Sequence, residues 1–140
     1  MKRATELRSL SKDHHRALVI AKRAKQFNIE CETTLANIWM EIEIYYSTEL
    51  ESHFRIEETY IAPHLESPGE IELIKKLYKE HDEIRCYFSP ESTRTATDLS
   101  DFGKLLEQHV RFEERELFNL AQNSLSPDAL ASLEEICNKQ

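Results

Sequence analysis

Two short runs in this sequence place a histidine and a glutamate four residues apart: His53-Phe54-Arg55-Ile56-Glu57 and His109-Val110-Arg111-Phe112-Glu113. On an α-helix, residues i and i+4 stack on one face about a turn apart. Each run can therefore offer one cation an imidazole nitrogen and a carboxylate oxygen. Two further histidines, His14 and His81, fall on the apolar stripes of other segments. Neutral imidazole and carboxylate suit iron, manganese or zinc, and the absence of neighbouring thiolates argues against a structural zinc site.

A single histidine on an apolar stripe is ordinarily a hydrogen-bonded core residue. Four of them on four segments, two with glutamate at the same offset, would make a poor purely structural core. An ionised carboxylate buried among apolar side chains loses several kcal/mol of solvation unless a cation compensates it. No inward-facing lysine is placed to do so, and Arg85 could offset only one glutamate. A pair of divalent ions balances two glutamates and four imidazoles more naturally. If Glu57 and Glu113 each bridge two ions and the histidines divide two and two, each ion receives two nitrogens and two oxygens. A bridging oxide or hydroxide brings each to five, leaving a position open to O2, NO, peroxide or azide.

Neighbouring groups have both functional and ordinary readings. Glu49, one turn before His53, and Glu116, after Glu113, could orient an imidazole or enter the ligand set, or equally be partly exposed helix-edge acids. Tyr46, Tyr60 and Tyr78 fall on inward stripes and could hydrogen-bond a bound diatomic, although packing with a satisfied hydroxyl is the commoner role. His15 and His64 read as local or solvent groups. An alternative in which His15 replaces His14 would use a face carrying Arg8, Ser11, Lys12 and Lys22.

The elements that must position these groups are helices. Only two glycines and four prolines interrupt a chain rich in Glu, Lys, Leu, Ala and Arg, residues that lose little freedom in a helix. Periodicity predicts a first helix from about Thr5 to Gln26, with Leu7, Leu10, His14, Leu18 and Ala21 on one stripe. A second starts near Thr33 or Thr34 and carries Leu35, Ile38, Ile42, Tyr46, Glu49, His53, Ile56, Glu57 and Tyr60 inward until Pro63. The third opens at Ser67-Pro68-Gly69-Glu70, a capping box with proline at the first helical position. It presents Ile71, Ile74, Leu77, Tyr78, His81, Ile84, Arg85 and Phe88. The fourth begins between Thr95 and Ser100 and presents Phe102, Leu105, Leu106, His109, Phe112, Glu113, Leu117 and Leu120. A short fifth follows Ser126-Pro127. The expected fold is all-α, a single domain over residues 1–140, built as an up-down-up-down four-helix bundle with a short C-terminal fifth helix.

Charge narrows the partners. Asp and Glu outnumber Lys and Arg by 26 to 18, a formal charge of −8, so no basic field attracts a phosphate backbone and nucleic acid is not expected. No stretch approaches membrane-spanning length, and the basic start (Lys2, Arg3, Arg8, Lys12) lacks the apolar run of a signal peptide, so a cytoplasmic location is expected. Cys31, Cys86 and Cys137 are scattered, without C-x-x-C spacing, and read as packing residues, with Cys86 able to touch the core.

Taken together, Leu10-Ser11-Lys12-Asp13-His14, His53-Phe54-Arg55-Ile56-Glu57-Glu58, Glu80-His81-Asp82-Glu83-Ile84-Arg85 and His109-Val110-Arg111-Phe112-Glu113-Glu114 with Leu117-Phe118 resemble the hemerythrin-like, or HHE cation-binding, domain family. The resemblance spans most of the chain. It implies a four-helix bundle around a non-haem di-iron centre, two Fe ions oxo- or hydroxo-bridged. His14 and His53 would sit on one iron, His81 and His109 on the other, with Glu57 and Glu113 as bridges. Oxygen-carrying hemerythrins have a fifth histidine, four residues after the third-helix ligand, where this chain has Arg85. The set is more similar to bacterial hemerythrin-like proteins, some linked to nitrosative stress and iron–sulfur repair. The repair proteins add a cysteine-bearing amino-terminal segment, whereas this sequence begins almost at the first ligand helix. The expected function is to bind, sense or reduce a small oxidant (O2, NO or peroxide). The alternatives are a non-catalytic iron-storage or iron-sensing module, or a bundle binding Zn or Mn.

Overall fold

In the described residues, 2–28, 30 and 33–139 of a computed structural model, the chain forms helices and no strands. Cys31 lies outside them. A 3₁₀ turn at Thr5–Leu7 leads into α1 (Arg8–Gln26); α2 (Leu35–Tyr45) runs through a π turn, Tyr46–Leu50, into α3 (Glu51–Tyr60). α4 spans Pro68–Cys86. α5 (Ala96–Phe112) continues through a second π turn, Glu113–Leu117, into α6 (Phe118–Ser124), and α7 (Pro127–Asn138) closes the chain. The expected second and fourth helices are thus two rods, each interrupted by one wide turn. No helix is long and apolar enough to cross a membrane among the described residues.

Local chemistry sets the starts. Thr34 accepts the Asn37 backbone N–H at 3.1 Å, and Ser126 accepts that of Ala129 with Pro127 in the first turn. Ser67 and Glu70 form the expected capping box, and Thr95 forms a second one with Asp98. Each supplies acceptors to backbone donors that the first helical turn leaves unpaired.

The π turns change which side chains face inward. An unbroken period of 3.6 puts Tyr46 and Glu49 inside; the structure instead buries Tyr45 and Leu50 and leaves Glu49 exposed. The Tyr46–Leu50 turn takes up one extra residue, so the inward series runs Ile38, Ile42, Tyr45, Leu50, His53, Glu57. On α1 the buried residues between His14 and Ala21 are Ala17 and Ile20, while Leu18 is exposed; Tyr78 on α4 is exposed too. Cys86 is exposed rather than in the core, and Cys137 is partly buried against the apolar residues around Leu10, Leu117 and Phe118.

The small residues on α1 serve a close approach to α5. A Cβ at Gly103 would lie 2.8 Å from the carbonyl oxygen of Ala21 and 2.8 Å from Lys25 Cγ. Only glycine lets the two backbones meet there. Buried apolar residues form two clusters. One contains Ala17, Ile42, Tyr45, Leu50, Phe54, Ile84 and Leu106; the other contains Leu10, Ile56, Leu77, Phe112, Leu117 and Phe118. Leu10 and Ala17 flank His14, Leu77 and Ile84 flank His81, and Leu106 and Phe112 flank His109, each pair split between the clusters. The polar side chains therefore occupy one layer with apolar packing above and below.

Candidate metal centre

His14, His53, Glu57, His81, His109 and Glu113 are the buried polar or charged residues among those described, and all meet in this layer. Their donor atoms form two tetrads, His14/His53/Glu57/Glu113 and Glu57/His81/His109/Glu113, within each of which the atoms lie within 4.8 Å of one another. Glu57 sends Oε2 to 3.0 Å from His53 Nε2 and Oε1 to 3.1 Å from His81 Nε2. Glu113 sends Oε1 to 2.7 Å from His14 Nε2 and 3.4 Å from His53 Nε2. Its Oε2 lies 3.4 Å from His81 Nε2 and 2.9 Å from His109 Nε2. Each carboxylate thus gives one oxygen to each histidine pair, and each tetrad can hold a cation.

Several of these short approaches are not hydrogen bonds. Both Glu57 oxygens and His109 Nε2 are buried without a hydrogen-bond partner despite their nearness to imidazole and carboxylate. Donor atoms crowded together yet misaligned for proton sharing suit a shared cation between them, since unpaired buried polar atoms are otherwise costly.

Without a metal, protons carry the compensating charge. Burial alone would depress the imidazoles, but the Glu113 and Glu114 carboxylates outweigh it and raise His14 to about 9. Burial is likewise outweighed at His81, raised to about 10 by Glu113, Glu57 and Glu58. His53 and His109 also rise against burial, through Glu57 and Glu113 respectively. Burial would raise Glu113, yet His109, His14 and His53 hold it well below the usual carboxylate range.

Each imidazole is oriented from behind. His14 Nδ1–H donates to Glu114 at 2.7 Å, His53 Nδ1–H to Asp13 at 3.0 Å, His81 Nδ1–H to Glu58 at 2.7 Å and His109 Nδ1–H to Glu80 at 2.8 Å. These bonds leave every Nε2 facing the centre and make it a better donor. Glu49 and Glu116, the acids singled out by helical spacing, are exposed and hold none of the imidazoles. The orienting acids are instead the chain neighbours of site residues: Asp13 of His14, Glu58 of Glu57, Glu80 of His81 and Glu114 of Glu113. Each serves a histidine on another segment. Acid-beside-ligand was the available sequence signal, but helical spacing within one segment cannot reveal a bond between segments. Glu80→Ala should weaken metal binding at the His109 tetrad by about 10- to 100-fold while the fold persists; chelator-competition titration measures it, and unchanged affinity would contradict the orienting role.

Stacking completes the walls. Phe54 lies 3.9 Å from His81 between ring centroids, and Phe118 lies 5.2 Å from His14. The second π turn lets both Leu117 and Phe118 face inward. Arg85 compensates neither Glu57 nor Glu113: it binds Glu51 and Glu58, donating to Glu58 Oε2 at 2.9 Å beside the His81 bond. His15 and His64 are exposed, in keeping with solvent roles. Tyr46 stacks on Phe88 and donates to Glu51, away from the centre.

A helical bundle with two buried His/Glu tetrads defines a cation-binding helical protein. Residues 5–121 match the hemerythrin HHE cation-binding domain, and the chain belongs to that family. No curated protein and no solved structure matches the chain.

Proposed function

We propose that this chain, folded over residues 1–140 as one up-down-up-down unit, holds two iron ions and uses them to bind, sense or reduce a small oxidant such as O2, NO or peroxide. His14 and His53 serve one ion and His81 and His109 the other, with Glu57 and Glu113 shared. The observation that carries the reading is the split of both carboxylates, one oxygen toward each histidine pair. When bound, iron supplies Lewis acidity and a one-electron redox couple to a small ligand.

The chain's own residues do the rest. Asp13, Glu58, Glu80 and Glu114 hold the Nδ1 protons so that each Nε2 lone pair points inward. The two apolar clusters exclude water from the layer and strengthen its electrostatics. Arg85 and His81 share Glu58, which ties the His81 ring to a surface ion-pair cluster.

Metal analysis of protein purified from iron-sufficient cells should find close to two irons per chain. Metal-free protein with unchanged folding would overturn the reading, and zinc or manganese in place of iron would replace it. Stopped-flow mixing of the reduced protein with O2, NO or peroxide then separates turnover from binding or single oxidation, which would mark a storage or sensing module.

A further inference from the structure

The iron-binding reading gives the centre its donors but no group to meet a guest. A cavity of ≈ 10 Å³ lies beside His14, His53 and Glu113, with Tyr45 on its wall. That is about the room one water needs, enough for a diatomic and too little for an organic substrate. Most polar side chains around it are already engaged. His14, His53 and His109 donate outward to Glu114, Asp13 and Glu80, and Glu49 approaches Arg16 at 3.9 Å.

Tyr45 differs. It is 4 % exposed, and its hydroxyl has no hydrogen-bond partner among the described residues. Among the described residues, the fully enclosed polar side-chain atoms without a partner are both Glu57 oxygens and His109 Nε2, so the unpaired Tyr45 hydroxyl keeps some open space beside it, and Tyr45 lines the cavity in which a guest can meet it. Phenols are protonated at neutral pH, and burial raises this one further. The carboxylates of Asp13 and Glu49 at the rim accept hydrogen bonds and donate none, so Tyr45 is the donor that the cavity offers.

We propose that Tyr45 donates a hydrogen bond to a small guest, a diatomic or a peroxide, lodged in this cavity against the His14/His53 half of the centre, and so retains it. The π turn that follows Tyr45 is what places it there. With an unbroken helix Tyr46 would take the inward position, and in the structure Tyr46 is spent on Glu51 and Phe88.

The inference rests on iron being bound, and the two fail separately. Iron content of wild type and Tyr45→Phe is measured first, so protein without iron exposes a failure of the metal reading. With iron present, NO is loaded onto the reduced proteins and its release into a scavenger is followed. Tyr45→Phe should release NO about tenfold faster, the loss of one buried hydrogen bond. Equal release rates, or an iron-loaded wild type that takes up no NO, would overturn the inference while leaving the metal assignment standing. If Tyr45→Phe fails to hold iron, the N–O stretch of the wild-type adduct decides. A shift between H2O and D2O supports the donor, and an unshifted band overturns it.

Discussion

If the chain holds two irons as proposed, Glu113→Ala is expected to strip both from the purified protein, leaving less than about a tenth of the wild-type content. Glu113 is fully buried and is the carboxylate that approaches all four imidazoles, His14 at 2.7 Å, His109 at 2.9 Å, and His53 and His81 at 3.4 Å. Among the described residues, Glu57 makes its close imidazole approaches to His53 and His81 alone. Truncating Glu113 therefore takes an oxygen from each tetrad and leaves each ion three protein donors. The metal-free chain suffers as well, because its raised imidazoles then carry protons with one buried counter-charge gone. Breaking a buried ion pair from one side costs about 3–5 kcal/mol. Metal analysis and denaturant unfolding of the chelated protein check both parts. Glu113→Gln, which keeps the volume, should lose the metals with less effect on folding. A variant that keeps one full iron per chain would show that Glu113 is not shared.

The metal-free chain should lose stability as pH rises from about 7 to about 10, while metal affinity climbs over the same range. His14 at about 9 and His81 at about 10 both lie above the ordinary imidazole value of 6.5. Between those values the folded metal-free chain binds more protons than the unfolded chain, so stability falls with increasing pH. The contribution is fully present below 6.5 and disappears as pH passes the folded-state values. Metal coordination needs neutral imidazole and so expels these protons. Affinity should rise by about one decade per pH unit for each imidazole proton displaced. Thermal melts of chelated protein from pH 6.5 to 10, and chelator competition across the lower part of that range, measure the two trends. Flat affinity with pH would mean that the imidazoles are not protonated in the metal-free state. Mild acid should likewise speed removal of metal by a chelator.

Helix order, caps and all six inward polar residues could be read from the amino-acid order. The reason is local. The 3.6-residue period, the Ser67-Pro68-Gly69-Glu70 start and the His-x-x-x-Glu spacing are properties of single segments, and a buried histidine or glutamate interrupts an apolar stripe visibly. The ideal period misleads where one segment's geometry departs from it. An ideal period points to Tyr46 rather than Tyr45 because nothing in Tyr46-Ser47-Thr48-Glu49-Leu50 announces a π turn, and hydrophobicity points to Leu18 where the structure buries the smaller Ala17.

What the sequence alone determined was the donor inventory: which residues sit inward, on which helices, and that carboxylates and imidazoles would need a common counter-charge. Tertiary structure decided how those donors are shared. Assigning one oxygen of Glu57 and of Glu113 to each histidine pair depends on helices meeting in one layer between two apolar clusters. So do the bonds from His14, His53, His81 and His109 to acids on other segments. The same meeting of helices commits Arg85 to Glu51 and Glu58 and leaves Tyr45 facing the cavity. Those relations join residues up to 100 positions apart, and a helical period carries information only over the few turns of one segment.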